Sequence, residues 1–283
     1  MTKPLFIWAG GKTKVLKHYA PFLPPSSSFS NYYEPFFGGG AVFVHVMNTY
    51  KPQNVVINDI NSDIISIYRC IKENYDEFTE RLNDLESQYI LLDKIDRKKL
   101  YFDVRHQHAY DYESWSKPFE SATLYFLMKT GFNGIYQLNQ NTNGRYGTPA
   151  GLLNQKDTVY DRQVLLWWKN ALQNVTITSG DWSAAVNDDP DGFFFFDPPY
   201  RDSFADYGNG FGDESLLKLI DFCDRQNKVF LANRADDDWF DGKCKSLSTH
   251  YFDITYTAGR RKKNADGTFE AKKAREILLY KIN

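Results

Sequence analysis

The run Phe193-Phe194-Phe195-Phe196-Asp197-Pro198-Pro199-Tyr200 constrains this chain more than any other stretch. Consecutive phenylalanines are apolar on both sides of an extended backbone, the pattern of a strand covered on both faces. Asp-Pro-Pro ends it, because neither proline can donate to a ladder or continue a helix. Asp197 is therefore expected at the carboxyl end of a central strand, the edge of an open α/β sheet where ligands bind. The proline turn leaves the Pro198 carbonyl without a ladder partner, beside the Asp197 carboxylate and the Tyr200 ring. Two acceptors and a flat aromatic face suit a planar amino group.

Before that strand, the chain has two glycine turns. Gly11-Lys12-Thr13 matches the end of a phosphate-binding P-loop, but that motif needs glycine where Phe6 stands, so the reading fails. A glycine turn ahead of a lysine and a helix still suits an anionic group such as a carboxylate. Further on, Tyr32-Tyr33-Glu34-Pro35-Phe36-Phe37 runs into Gly38-Gly39-Gly40, and residues 41 to 50 read as a helix. These glycines let the backbone approach a ligand closely. A dinucleotide fingerprint needs a third glycine where Phe43 stands, which disfavours a nicotinamide or flavin site. Strand Val55-Val56-Ile57-Asn58-Asp59 follows. Asp59 lies about 20 residues past the turn, the spacing at which such folds place a carboxylate on ribose hydroxyls. It serves equally well as a cap for a helix beginning near Asn61.

Composition narrows the function classes. The 283 residues suit one large domain or a domain with an insertion, and three scattered cysteines suggest neither a disulfide framework nor a zinc site. His106 and His108 are too isolated to indicate a metal, and none is expected. No apolar run is long enough for a membrane span and the amino terminus lacks a secretory pattern, so a soluble cytoplasmic protein is expected. No feature specifies an oligomeric state. A net charge of -2 confines any nucleic-acid footprint to local patches.

Residues 64 to 99 form one helical, charged pattern free of proline and glycine, and Pro118 to Lys129 read as another helix. Gly131 to Gly147, rich in glycine, amides and aromatics, resembles a loop that reads base edges and wedges into a stack. Composition alone favours a flexible surface loop. Helix 161 to 173, strand 175 to 178 and Asp181 then lead to the phenylalanine strand. Helix 214 to 225 and strands 228 to 232, 247 to 257 and 276 to 282 complete the α/β rhythm. Between the last two strands Arg260-Arg261-Lys262-Lys263 and Lys272-Lys273 concentrate positive charge, suited to phosphate.

Asp197-Pro198-Pro199-Tyr200 resembles the motif of methyltransferases acting on adenine N6; relatives acting on cytosine N4 tend to carry Ser-Pro-Pro-Tyr. Trp8-Ala9-Gly10-Gly11-Lys12, Glu34 through Gly40, Asn58-Asp59-Ile60-Asn61, Phe132-Asn133-Gly134, Asp197 through Tyr200 and Phe204-Ala205-Asp206-Tyr207 occur in the order of Dam-like DNA adenine-N6 methyltransferases, and the similarity spans most of the chain. It implies an α/β fold, a doubly wound Rossmann-like methyltransferase sheet with an inserted, mainly helical target-recognition domain. The catalytic part would take residues 1–69 and 166–283, and the insertion 70–165. The resemblance also implies bacterial or phage-encoded origin, double-stranded DNA as partner and S-adenosylmethionine as cofactor. Trp8, Lys12, Glu34, Phe36, Gly38, Gly40, Asp59, Asp181 and Asp197 would contact the cofactor. Asp197, Pro198 and Tyr200 would act on the flipped adenine. Phe132, Asn133, Ile135, Gln137, Arg145, Tyr207, Arg260 and Arg261 would meet DNA, Phe132 filling the gap left by the extruded base. No general base with a shifted pKa is required, since the methylated nitrogen loses its proton readily. An RNA adenine methyltransferase and a catalytically silent DNA-binding relative are the alternative readings.

The chain departs from the family at two positions. Dam-like enzymes that modify GATC carry lysine before the Trp-Ala-Gly-Gly-Lys motif and arginine four residues after the recognition-loop asparagine. Here Ile7 and Gln137 stand there. Glutamine pairs best with adenine and isoleucine donates nothing, so a site other than strict GATC is expected.

Overall fold

The computed structural model describes all residues except 1, 9, 201–210, 236, 257–261, 264–268 and 271. Its main sheet is mixed and seven-stranded, built from β1 (Asn31–Glu34), β2 (Asn54–Asp59), β3 (Val175–Ser179), β4 (Gly192–Phe196), β5 (Lys228–Arg234), β6 (Ser248–Tyr256) and a last strand, Lys272–Ile282. A separate two-stranded ribbon pairs β7 (Lys262–Lys263) with β8 (Phe269–Glu270), so the last strand is β9. The order across the sheet is β3-β2-β1-β4-β5-β9-β6. β1 pairs in parallel with β2 on one side and β4 on the other, and β4 with β5. β9 runs antiparallel to both β5 and β6. Strand order therefore reverses between β1 and β4, the switch point where an open α/β sheet leaves a crevice beyond the strand ends. Asp197 directly follows the β4 end, and Phe36 lies two residues past the β1 end.

The chain forms two compact units, 1–11, 38–44 and 59–180 in the first, 12–37, 45–58 and 181–283 in the second. In the second unit every phenylalanine of β4 is buried. Phe194 and Phe196 stack on each other and meet Phe222 of α8 (Asp213–Arg225) edge-on. On the opposite face Phe193 packs against Phe230 and Phe195 against Tyr19 of α1 (Leu16–Tyr19). Each fully buried phenylalanine stabilises the fold by roughly 1.5–3 kcal/mol. A strand covered this way on both faces makes a rigid base for whatever follows it.

The first unit is mainly helical. The 64–99 pattern, read as one stretch from sequence, breaks into α3 (Ser62–Glu73), α4 (Tyr75–Ile90) and the start of α5 (Lys94–Tyr110), with α2 (Ala41–Thr49) before them. Asn74 leaves the helical region at the first break, and at the second the Asp93 carboxylate accepts from Ile95 and Asp96 N–H and caps α5. At Asp93, a short polar side chain that bonds nearby backbone separates the two helices without glycine or proline. α6 (Lys117–Thr130) and α7 (Arg162–Ala171) complete the unit. Phe43, Tyr68 and Trp168 pack together, and the Trp168 indole N–H donates to the Lys3 carbonyl. That contact pins the amino-terminal strap that carries Ile7 and Trp8.

Candidate active site

Within the second unit, the carboxyl end of β4 delivers Asp197 to the Lys12 ammonium, with Nζ 2.6 Å from Oδ2. Lys12 is 4% exposed and Asp197 20%. The Lys12 ammonium is thus paired with a carboxylate of the protein itself. The same ammonium lies 4.8 Å from the centre of the Tyr200 ring, within cation–π range. Burial pushes the Asp197 carboxyl up to about 6, Lys12 pulls it down and Glu276 adds a smaller upward push. Sequence reasoning required no shifted group here; placing a carboxylate at a closed strand end creates one. Pro198 is buried and Tyr200 half-buried.

Phe36 forms an aromatic wall in the same unit, near-parallel to Trp182 at 6.5 Å and edge-on to Phe196 and Phe211. Buried Asn58 fixes the turn before it, donating to the Pro35 carbonyl while its own carbonyl accepts from Phe37 N–H. Glu34 is buried and accepts from the Tyr32 hydroxyl at 2.7 Å. Asp181 accepts from Ser183 N–H at 2.9 Å and caps the short turn that carries Trp182. Trp182 was not singled out from sequence; one aromatic after a capping aspartate gives little signal.

In the first unit, Asp59 joins the glycine turn to α3. Its Oδ2 accepts from Gly38 N–H at 2.8 Å and its Oδ1 from Asn61 N–H at 2.9 Å. Asn61 is the cap of α3, bonding Asp63 and Ile64 N–H, so the capping role open to Asp59 belongs to its neighbour. Burial raises the Asp59 carboxyl while these backbone donors lower it. Gly38 and Gly40 take φ of 48° and 68°, and a Cβ on Gly38 would lie 2.6 Å from the Trp8 indole. Only glycine fits there. The Tyr68 hydroxyl, which sequence reasoning missed, donates to the Gly38 carbonyl at 3.0 Å.

The 131–147 segment is fastened rather than loose. Tyr101 donates to the Thr148 carbonyl, the Thr148 hydroxyl to the Ile135 carbonyl and Arg105 to the Gly147 and Thr148 carbonyls. The Tyr136 hydroxyl donates to Asp63 at 2.7 Å, its ring 5.9 Å from that of Trp8. The short turn Phe132–Gly134, with Asn133 at φ 54°, presents Phe132 48% exposed and Ile135 exposed beside it. Gln137 is exposed too, and Ile7, 68% exposed, packs on Gly134. Arg145, expected on the DNA face, instead turns inward: it pairs with Glu120 and stacks on Tyr112 at 3.5 Å, holding the loop's return limb. Tyr207, Arg260 and Arg261 lie outside the described residues. Among the described residues no cluster of His, Cys, Asp and Glu is arranged to hold a metal ion, and no helix is long and apolar enough to cross a membrane.

Residues 8–277 match the family model of the D12 class N6 adenine-specific DNA methyltransferases. The chain is 32% identical over 252 residues to the Type II methyltransferase M.MjaIII of Methanocaldococcus jannaschii, covering 84% of this chain and 86% of the relative. It is 31% identical to the Type II methyltransferase M.CviBI of Paramecium bursaria Chlorella virus NC1A, covering 83% and 84%. The DNA adenine methylase of Haemophilus influenzae is 24% identical, covering 82% and 79%. With the motifs in family order, the Asp197 constellation at the β4 end and a family match over nearly the whole chain, this protein belongs to the D12 class of N6 adenine-specific DNA methyltransferases.

Proposed function

We propose that the enzyme transfers a methyl group from S-adenosylmethionine to N6 of an adenine flipped out of duplex DNA at a defined sequence. The observation that carries this reading is the Asp197 carboxylate, 20% exposed and paired with Lys12, at the end of β4 beside the switch point of the sheet, with Pro198 and Tyr200 following it in the chain. Adenine N6 is a poor nucleophile because its lone pair is delocalised into the ring. Inside a duplex it is also out of reach, so the base leaves the stack. Asp197 and the Pro198 carbonyl accept the two N6 hydrogens, which favours a pyramidal nitrogen with its lone pair directed outward. Tyr200 stacks on the ring and limits its rotation. Holding the reactants in line in this way supplies most of the acceleration.

The residues present fit the cofactor. The turn at Gly38 has no space for a side chain, and the Asp59 oxygens, each held by a backbone N–H, keep lone pairs for ribose hydroxyls. Trp8 in the first unit and Phe36 and Trp182 in the second would each offer an apolar ring to the cofactor, and Asp181 would offer a carboxylate to its adenine. When bound, S-adenosylmethionine supplies a methyl group activated by its sulfonium charge. We further assign 70–165 to target recognition, with Phe132 as the wedge and Gln137 as a reader of base edges, Tyr207, Arg260 and Arg261 contributing to the DNA contact, and a cytoplasmic setting. Incubation with methyl-labelled S-adenosylmethionine and either duplex DNA or structured RNA tests the proposal. Label is expected in DNA; label confined to RNA, or in neither, contradicts it.

A further inference from the structure

We propose that Lys12 is the positioning residue that keeps Asp197 anionic in the base-free enzyme, its ammonium standing in the place of the target amino group until the base arrives. The inference rests on the assignment of Asp197 and Tyr200 to the flipped adenine. The ammonium engages both of those groups, by an ion pair of 2.6 Å and by its place 4.8 Å from the ring centre. A cation that donates to Asp197 and lies over Tyr200 reproduces what a planar amino group on a stacked ring presents. The incoming base must therefore displace the ammonium from the Tyr200 face. Lys12 can remain on Oδ2, leaving Oδ1 and the Pro198 carbonyl for the N6 hydrogens.

The electrostatics give the contact a second use. Burial favours the neutral acid, and so does Glu276, opposite Arg234 in the β5–β9 register. Lys12 is the group that opposes them. A protonated Asp197 would donate where it must accept. An opposite charge at this range typically depresses a carboxyl pKa by about 1–3 units, so losing it should move ionisation of Asp197 upward by that much.

The test compares the full-length wild-type enzyme with Lys12→Met and Lys12→Arg in two measurements: kcat against pH at saturating DNA and cofactor, and titration of the Asp197 carboxyl carbon by 13C NMR without either. The methionine variant should shift the acidic limb and the NMR midpoint upward by at least one pH unit. It should lose between about twofold and 100-fold in kcat at pH 7, in proportion to the shift of the midpoint, and recover much of it by pH 9, while arginine keeps both midpoints near wild type. Lys12→Gln, which keeps a donor but no charge, carries the same test if the methionine variant does not fold. An unmoved midpoint, or equal loss at every pH, overturns the proposal. The NMR titration does not depend on turnover, so it is separable from the assignment of Asp197, which fails on its own if Asp197→Ala stays active.

Discussion

Lys12 and Asp197, far apart in the sequence, form a largely buried ion pair with Nζ 2.6 Å from Oδ2. A desolvated pair of this kind contributes little net stability, yet removing one partner strands the other and typically costs about 3–5 kcal/mol. The pair is better explained by the site it occupies.

Its first consequence is a pH profile. With Asp197 pushed up to about 6, kcat should fall about tenfold per pH unit below that value as the acceptor becomes protonated. Stability should run the other way. A carboxyl raised above its unfolded value contributes stability that is fully present below about pH 4 and lost as pH rises through 6, on the order of 3 kcal/mol. Urea unfolding of wild type and Asp197→Asn at pH 4.5 and 7.5 checks the sign: the wild type should lose ground relative to the variant as pH rises. A difference independent of pH would remove the raised carboxyl from the account.

Asp59 is expected to act on cofactor affinity more than on folding. Hydrogen bonds to a charged group contribute about 1.5–3 kcal/mol, so Asp59→Ala should raise the S-adenosylmethionine Kd by about 10- to 100-fold in calorimetry. The apo protein should lose only a few degrees in Tm, since Asn61 still caps α3. An unchanged Kd with a much lower Tm would reduce Asp59 to a brace for the glycine turn.

Phe132 is half exposed, and truncating such a side chain seldom changes stability by more than about 0.5 kcal/mol. Phe132→Ala should therefore melt like wild type but flip its base poorly, seen as a smaller fluorescence rise from 2-aminopurine at the target position. Wild-type fluorescence would assign the extrusion to another residue.

Much of this site was legible in sequence because it depends on local chemistry. Four phenylalanines before Asp-Pro-Pro specify a doubly covered strand with an acid at its end, and the three glycines before α2 specify a close backbone turn, whereas the bond from Gly38 N–H to Asp59 emerged only in the fold. What was hidden depends on tertiary contact. Nothing local shows that Lys12 reaches Asp197, that Tyr68 braces Gly38, or that Arg145 pairs with Glu120. The glycine- and amide-rich loop looked mobile because its anchors, Tyr101 and Arg105, lie on a distant helix. The long helical pattern concealed two breaks, one at Asn74, where the backbone leaves the helical region without a side-chain cap, and one at Asp93, where capping competes with propensity.

Two exposed side chains bear on which sequence is expected to be methylated. Ile7 donates no hydrogen bond, and Gln137 suits adenine N6 and N7 better than guanine. A good bidentate contact discriminates by about 1–3 kcal/mol, so the outer positions of the site are expected to be relaxed or altered relative to GATC. Mapping N6-methyladenine by single-molecule sequencing of DNA from expressing cells decides this. Modification confined to GATC would show that guanine is read by other residues.

The central claim is that Asp197, with the Pro198 carbonyl, orients the target amino group for methylation. Single-turnover methylation of a duplex by wild type and Asp197→Ala, with product nucleosides identified by mass spectrometry, tests it most directly. The account predicts N6-methyladenine from the wild type and a rate at least about 10²-fold lower from the variant, with DNA binding largely retained. Near-normal turnover by Asp197→Ala, or a product methylated on a base other than adenine, would contradict it.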